Sequence, residues 1–114
     1  MADVELAVQQ IVAAGITPTY TGSLSISNTY HVRNTGRIFL HFKKSGAGSC
    51  DVTIATPRTV DGLAIADRVV QVPATTGDKM IGPFKPDVYN SQGGVDLTFT
   101  LSEITGLTVA VLRL

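Results

Sequence analysis

The amino-acid sequence predicts a single all-β domain, a small antiparallel β-sandwich or barrel-like fold, with an N-terminal arm. Short segments of alternating apolar and polar residues recur along the chain, which is the pattern of half-buried strands. Glycine, proline, asparagine and aspartate separate these segments and indicate turns. The 114 residues, 44% of them hydrophobic, suffice for one core without disulfides. We therefore expect an arm over residues 1–24 and a β domain over residues 25–114.

The first regular strands are predicted in the region from residue 29 to residue 57. Segment 37–43 places three apolar side chains on one face: Ile38, Leu40 and Phe42. The glycine-rich residues 46–49 are interpreted as a hairpin turn. The next strand alternates in the same way, with Cys50, Val52 and Ile54 on its apolar face. Pro57 ends that strand because proline has no N–H for a sheet ladder.

The second half of the chain continues the pattern. Asp61-Gly62 predicts a tight turn, and a strand from Arg68 to Val72 stops at Pro73. The clearest alternation is in segment 95–101, with four apolar residues on one face. Segment 107–114 is apolar on both faces, which is typical of a central strand or of a strand at an interface.

The first twenty residues are consistent with two structures. A helix, capped by Asp3 and stopped by Gly15, would align five apolar side chains: Val4, Ala7, Val8, Ile11 and Val12. A strand would instead place Val4, Leu6 and Val8 on one face.

We favour an extended arm that adds to the sheet edge of a neighbouring subunit. On this interpretation the arm binds its partner mainly through Val8, Ile11, Val12 and Tyr20. The competing interpretation is that the segment forms a first strand or helix over the core of its own domain.

Segment 79–90 is a second candidate for binding a partner. It carries apolar side chains among two prolines, which prevent continuous strand pairing. An edge strand or a shaped loop is expected, and it could fold over the core or form an interface. The candidate partner-binding residues here are Met80, Phe84 and Tyr89.

The two histidines are the first candidates for chemistry. If residues 34–36 form a hairpin loop, His31 and His41 share one face on a diagonal, about 7–8 Å apart. A catalytic zinc site uses three protein ligands, and the nearest acids in the sequence, Asp51 and Asp61, are not spaced to supply the third. We expect two surface or interface histidines and no metal site.

Other catalytic and cofactor-binding patterns do not emerge from the sequence. The glycines at 46 and 48 lack the third glycine and the following helix of a dinucleotide-binding loop. Cys50 lies on an apolar strand face, where a buried thiol is typical. Four of the nine acids, Asp61, Asp67, Asp78 and Asp87, lie in turn-like contexts, where aspartate is common for backbone reasons. We therefore expect no enzyme, no catalytic residue, no cofactor and no small-molecule substrate.

Charge and targeting signals set further expectations. Nine Lys and Arg balance nine Asp and Glu, and the basic residues are scattered, so we expect no nucleic-acid partner. The chain has no apolar stretch of membrane-spanning length, and its start does not resemble a signal peptide. We expect synthesis in the cytoplasm and no membrane partner.

Several stretches of the sequence resemble a family of small proteins encoded in tailed-phage and prophage genomes. These stretches are IVAAGITPTY (11–20), NTGRIFLH (34–41), ATPRTVDGLA (55–64), IGPF (81–84) with VYN (88–90), and LTVAVLRL (107–114). The resemblance covers nearly the whole chain, and the family has no catalytic motif to transfer.

The resemblance implies a structural component of the virion, most closely a head decoration or capsid cement protein. It implies that the protein binds the outside of the capsid shell, contacts the major capsid protein and neighbouring copies of itself, and stabilises the head. The location implied is the capsid surface, after synthesis in the host cytoplasm. The alternative is an accessory β domain of the tail tube or the baseplate.

Overall fold

The computed structural model describes residues 3–57, 59–90 and 94–114. These residues form eleven strands and one short helix. The strands of the first half are β1 (Asp3–Glu5), β2 (Gln9–Gln10), β3 (Thr29–Arg33), β4 (Ile38–Lys44) and β5 (Cys50–Ile54). The remaining elements are β6 (Thr59–Val60), β7 (Leu63–Ala64), β8 (Arg68–Val72), β9 (Gly77–Ile81), α1 (Pro86–Tyr89), β10 (Asp96–Leu101) and β11 (Leu107–Arg113).

The strands form two packed sheets, which confirms the predicted all-β sandwich. Sheet A has the order β1-β3-β10-β5-β8, and sheet B has the order β2-β11-β4-β9. Strands β6 and β7 form a separate hairpin around the predicted turn at Asp61 and Gly62, where both residues have positive φ. The two N-terminal strands pair in parallel with their neighbours, and the other pairings are antiparallel.

The core lies between the inner faces of the two sheets, and aromatic rings connect them. Phe99 on β10 stacks against Tyr30 on β3 with 5.6 Å between ring centroids. The edge of Phe42 on β4 meets the Phe99 ring at 5.8 Å. The predicted alternation is confirmed in β4, β5 and β10, whose apolar positions are buried: Ile38, Leu40, Phe42, Cys50, Val52, Ile54, Leu97, Phe99 and Leu101. Val95 is the exception, because it precedes β10 and is half exposed.

The predicted hairpin loop at residues 34–36 is wrong. Strand β3 belongs to sheet A and β4 to sheet B, so this loop crosses between the sheets. A buried asparagine fixes the crossing: Asn34 accepts a hydrogen bond from the Gly36 N–H at 2.9 Å and donates to the side chain of Asn90 at 2.7 Å. The glycine-rich residues 46–49 also connect the two sheets rather than forming a hairpin.

The N-terminal segment forms strands in its own domain. Strand β1 pairs with β3 in sheet A, and β2 pairs with β11 in sheet B. Leu6 is 7% exposed and belongs to the core, and Val4 and Val8 pack against it. The helical alternative is therefore wrong, and the strand alternative describes this segment. Residues 1 and 2 of the predicted arm lie outside the described residues.

Candidate binding surface

An apolar groove lies at the end of sheet B where β4 begins and β11 ends. Its volume is about 570 Å³. We call it the end groove, and its lining residues are Gly36, Arg37, Ile38, Phe39, Met80, Ile81, Gly82, Pro83 and Leu114. Apart from Arg37, these residues are apolar or glycine.

The end of the edge strand β9 shapes one wall of the end groove. Pro83 follows this strand and cannot continue the sheet ladder. Gly82 has φ of +140°, and a Cβ atom there would lie 2.9 Å from the carbonyl oxygen of Ile38 and 2.9 Å from Cβ of Phe39. Only glycine fits this close approach without displacing β4.

The chain's last residue forms another part of the groove. The N–H of Leu114 donates to the carbonyl of Arg37 at 3.3 Å, which holds the end of β11 beside the start of β4. The side chain of Leu114 is 68% exposed, and that of Met80 is 67% exposed. Two large apolar side chains exposed around one concave site are typical of a surface that a partner covers.

Three of the predicted partner-binding residues, Ile11, Val12 and Met80, lie near this end of sheet B. Met80 lines the groove itself. Ile11 donates its N–H to the carbonyl of Arg113 at 2.8 Å, so the chain passes the end of β11 on the side opposite β4. Val12, the next residue, is 48% exposed. Val12 and Met80 are therefore both accessible apolar side chains. Val12 lies on the β11 side and Met80 on the β4 side of this strand pair.

Tyr20, also a predicted partner-binding residue, is engaged inside its own chain. Its hydroxyl is 2.7 Å from Nδ1 of His41, and the two rings meet edge to face at 5.5 Å. The Nζ atom of Lys43 lies 5.1 Å from the centroid of the Tyr20 ring. Because His41 and Lys43 both point outward from β4, Tyr20 covers the outer face of sheet B.

Phe84, Tyr89 and Val8 also contact the protein's own core. Phe84 is 2% exposed, and the ring of Tyr89 packs against it edge to face at 5.2 Å. The hydroxyl of Tyr89 accepts a hydrogen bond from Nε of Arg68 at 2.7 Å. We therefore leave Phe84, Tyr89 and Val8 out of the candidate binding surface, because their side chains serve the fold.

The two histidines lie in different sheets, so their predicted diagonal contact is wrong. His41 is 7% exposed, and its Nε2 atom is 2.5 Å from a carboxylate oxygen of Asp78 on β9. The arrangement fits a proton on Nε2, with Nδ1 accepting from the Tyr20 hydroxyl. The hydrogen bond from His41 lowers the pKa of the Asp78 carboxyl below its ordinary value.

His31 lies on the outer face of sheet A and is half-buried. Possible ligand atoms of Glu5, His31 and Asp96 lie within 4.8 Å of one another. Sequence reasoning missed this cluster because its members come from three strands whose pairing the pattern does not reveal. The one sequence feature that pointed toward the cluster is the position of Asp96 on the polar face of the clearest alternating strand.

A buried lysine and a glutamate hold a loop at the other end of the sandwich. Lys44 is 2% exposed and donates to the carbonyl of Thr105. The Glu103 carboxylate accepts from the hydroxyl and the N–H of Thr105, each at 2.7 Å, and from the N–H of Ile104 at 2.8 Å. These hydrogen bonds lower the pKa of Glu103. The arrangement stabilises the turn between β10 and β11.

Comparisons with protein-family models, with curated proteins and with solved structures found no match for this chain. Within the described residues, α1 is a single turn, and no helix has the length and apolar character needed to span a membrane.

Proposed function

We propose that this protein is a structural protein of a phage virion, which binds the outside of the capsid shell as a decoration or cement protein. The observation that carries this proposal is the end groove, an accessible apolar concavity beside exposed Met80 and Leu114. The resemblance of the sequence to small phage proteins supplies the partner, the major capsid protein.

The end groove would receive an apolar side chain from the shell. The centre of a protein–protein interface is apolar and poor in charges, and the groove offers that character between β4 and β9. Strand β9 is also an edge of sheet B, so backbone groups on its outer side are available to pair with an extended segment of the shell protein. Groove and edge lie together, so one segment could engage both.

Neighbouring copies of the protein would strengthen the attachment. A shell presents many equivalent sites, so a modest affinity per contact suffices if each copy also contacts its neighbours. The equal numbers of basic and acidic residues give a formal net charge of zero, which removes long-range repulsion between adjacent copies. The stabilisation of the head would then come from many weak contacts rather than from one strong contact.

Co-sedimentation with phage heads that lack the native decoration protein tests the proposal. Met80→Asp places a charge in the end groove, and because Met80 is exposed we expect the variant to leave the core intact. The matched control is Leu63→Asp, because Leu63 is 70% exposed on the β6–β7 hairpin and does not line the groove.

We expect the wild-type protein to co-sediment with heads in a saturable manner. Met80→Asp should weaken binding by at least about tenfold, and Leu63→Asp should bind within about twofold of wild type. Binding to isolated tails but not to heads would contradict the proposal in favour of a tail-tube or baseplate domain. Equal binding of the two variants would show that the end groove is not the contact.

A further inference from the structure

We propose that Glu5, His31 and Asp96 bind a divalent transition-metal ion, with Zn²⁺ as the ligand that fits best, and that the ion fastens the N-terminal strand to sheet A. This inference is independent of the proposed function. It also departs from the expectation, drawn from the sequence, that there is no metal site. Its basis is the convergence of one imidazole and two carboxylates on the outer face of sheet A.

The strand register brings the three side chains together. Glu5 on β1 is the direct partner of His31 on β3 in the parallel ladder. On the other side of β3, His31 pairs with Thr98 of β10, and Asp96 is two residues along the same strand. Because side chains alternate between the faces of a sheet, all three point away from the core, whose inner face holds Val4, Tyr30 and Leu97.

The spacing is close to that of a metal site. Zinc–ligand distances of about 2.0–2.2 Å place the donor atoms of a tetrahedral site roughly 3.4 Å apart. The donor atoms here lie within 4.8 Å of one another. To bind one ion, they must therefore move closer together by on the order of 1 Å. Glu5 is exposed at the end of its short strand, and its long side chain can make that shift by rotation about its own bonds.

The donor set favours zinc over calcium or magnesium. An imidazole nitrogen is a ligand for transition metals, whereas Ca²⁺ and Mg²⁺ prefer oxygen donors throughout. The two carboxylates balance the double positive charge of the ion. Arg33 lies opposite Asp96 on β3 and points to the same face. Among the described residues, however, neither Arg33 nor another basic side chain forms an ion pair with Asp96 or Glu5.

A bound ion would strengthen the shortest strand of sheet A. Strand β1 has three residues and pairs with only one neighbour, β3. A metal ion held by β1, β3 and β10 would link the edge strand to the centre of the sheet. An ion that binds the folded chain and not the unfolded chain raises the free energy of unfolding. Water would complete the coordination, because three protein ligands leave a position open.

Calorimetric titration of the untagged 114-residue chain with ZnCl₂ tests the site. We expect saturable binding of one Zn²⁺ per chain and a thermal unfolding midpoint that rises with zinc concentration. Glu5→Gln and His31→Gln should each weaken binding by at least about tenfold. Asp3→Asn, which removes an acid from the same strand, and Asp78→Asn, which removes the acid beside the other histidine, should bind within about twofold of wild type.

Two outcomes would overturn the proposal. One is the absence of zinc binding tighter than about 1 mM in the wild-type protein. The other is wild-type affinity in both Glu5→Gln and His31→Gln. Histidine side-chain NMR signals provide a second measurement that does not depend on how well a variant folds. Zinc should shift the ring signals of His31 and leave those of His41 in place, and the reverse pattern would assign the ion to the other histidine and contradict the site.

Discussion

The outer faces of the two sheets differ, although their strands follow the same alternating pattern. The outer face of sheet A carries mostly polar side chains that are exposed or partly exposed, among them Glu5, His31, Thr53, Asp96 and Thr98. The outer face of sheet B carries three side chains that are less than 8% exposed: His41, Ala110 and Leu112. The strands of sheet A therefore have one buried face, whereas β11 in sheet B is buried on both faces at Ala110 and Leu112.

Tyr20 accounts for the cover over His41. Tyr20 lies over the outer face of sheet B, hydrogen-bonded to His41 and in contact with Lys43. On the corresponding side of sheet A, Glu5 is exposed, and His31, Asp96 and Thr98 are partly exposed. A strand pattern thus defines the inner face, whereas burial of the outer face depends on a segment distant in sequence. The two histidines show the consequence, since His41 is 7% exposed whereas His31 is only half-buried.

Deleting residues 2–16 should have the largest effect on stability, because this segment supplies an edge strand to each sheet. The deletion removes the buried side chain of Leu6 together with β1 and β2. If the segment were an arm that bound only a neighbouring subunit, the truncated domain would stay folded. The structure leads us to expect a loss of at least about 4 kcal/mol, since burying a leucine alone contributes about 2–5 kcal/mol.

Urea unfolding of the truncated chain measures this effect, and replacement of residues 12–16 by a Gly-Ser linker of equal length is the control. The control should unfold at nearly the wild-type midpoint, because Val12 and Ile16 are exposed. A truncated chain with the wild-type midpoint would support the original interpretation of an intersubunit arm.

Strand β10 offers a test of the inner and outer faces of sheet A. Phe99→Ala should cost about 3–5 kcal/mol, because Phe99 contacts rings from both sheets. Thr98→Ala, one residue away on the accessible face, should cost less than about 1 kcal/mol. The urea midpoints of the two variants measure these two losses of stability. Equal losses would mean that the outer face of sheet A is also packed.

The covered face of sheet B should respond differently. Leu112→Ala is expected to lower the free energy of unfolding by about 2–3 kcal/mol, because Leu112 is 6% exposed although it points away from the core between the sheets. Thr53→Ala, at a half-exposed outer position of sheet A, should cost less than about 1 kcal/mol. If chemical denaturation gave Leu112→Ala a loss as small as that of Thr53→Ala, the contrast between the two outer faces would fail.

Tyr20→Phe isolates the hydrogen bond that Tyr20 makes with His41. The ring stays in place while the hydroxyl is lost, so the expected cost is about 0.5–1.5 kcal/mol. Tyr89→Phe is the control, because its hydroxyl accepts from the exposed Arg68 side chain and should contribute less than about 0.5 kcal/mol. Thermal unfolding of both variants measures the difference. A larger loss of stability in Tyr89→Phe than in Tyr20→Phe would show that the Tyr20–His41 hydrogen bond does not hold Tyr20 over sheet B.

The smallest effect concerns Asp78 and depends on pH. The hydrogen bond from His41 lowers the pKa of Asp78 in the folded protein, with smaller electrostatic contributions from His41 and Lys43. Stability from this carboxylate is present above its unfolded-state pKa of about 3.9 and is lost as the pH falls through the lower folded-state value.

Wild type should therefore exceed Asp78→Asn in stability near neutral pH, and the difference should shrink below about pH 4. Denaturant unfolding at a series of pH values follows this difference. A difference that stayed constant throughout the acid range would show that the His41–Asp78 contact contributes nothing through the carboxylate charge.

The strands could be predicted from the sequence because their signal is local. Alternation in segments 37–43, 50–55 and 95–101 identifies the inner faces, and proline and Asp-Gly mark the ends. Strand neighbours could not be predicted. Asn34 turns the chain from one sheet to the other through a hydrogen bond to Asn90, and no local pattern records a contact between residues so far apart.

The same limit applies to the candidate sites. Met80 was identified from the sequence because it stands in an apolar segment interrupted by prolines, and Val12 because it stands in an apolar segment before the regular strand pattern. The end groove could not be predicted, because it also includes Leu114 and Phe39. These two residues come together through the pairing of β11 with β4. The Glu5–His31–Asp96 cluster likewise could not be predicted, because it forms through the parallel pairing of β1 with β3. The sequence of the first residues does not indicate that pairing.

Hydrogen exchange on the protein bound to phage heads, compared with the free protein, tests the central claim most directly. That claim is that the end groove and the edge strand β9 contact the capsid shell. Binding should slow exchange in residues 77–84 and 36–39 and leave the β6–β7 hairpin and the outer strands of sheet A unchanged. Slowed exchange confined to that hairpin or to sheet A, with residues 77–84 unchanged, would contradict the account.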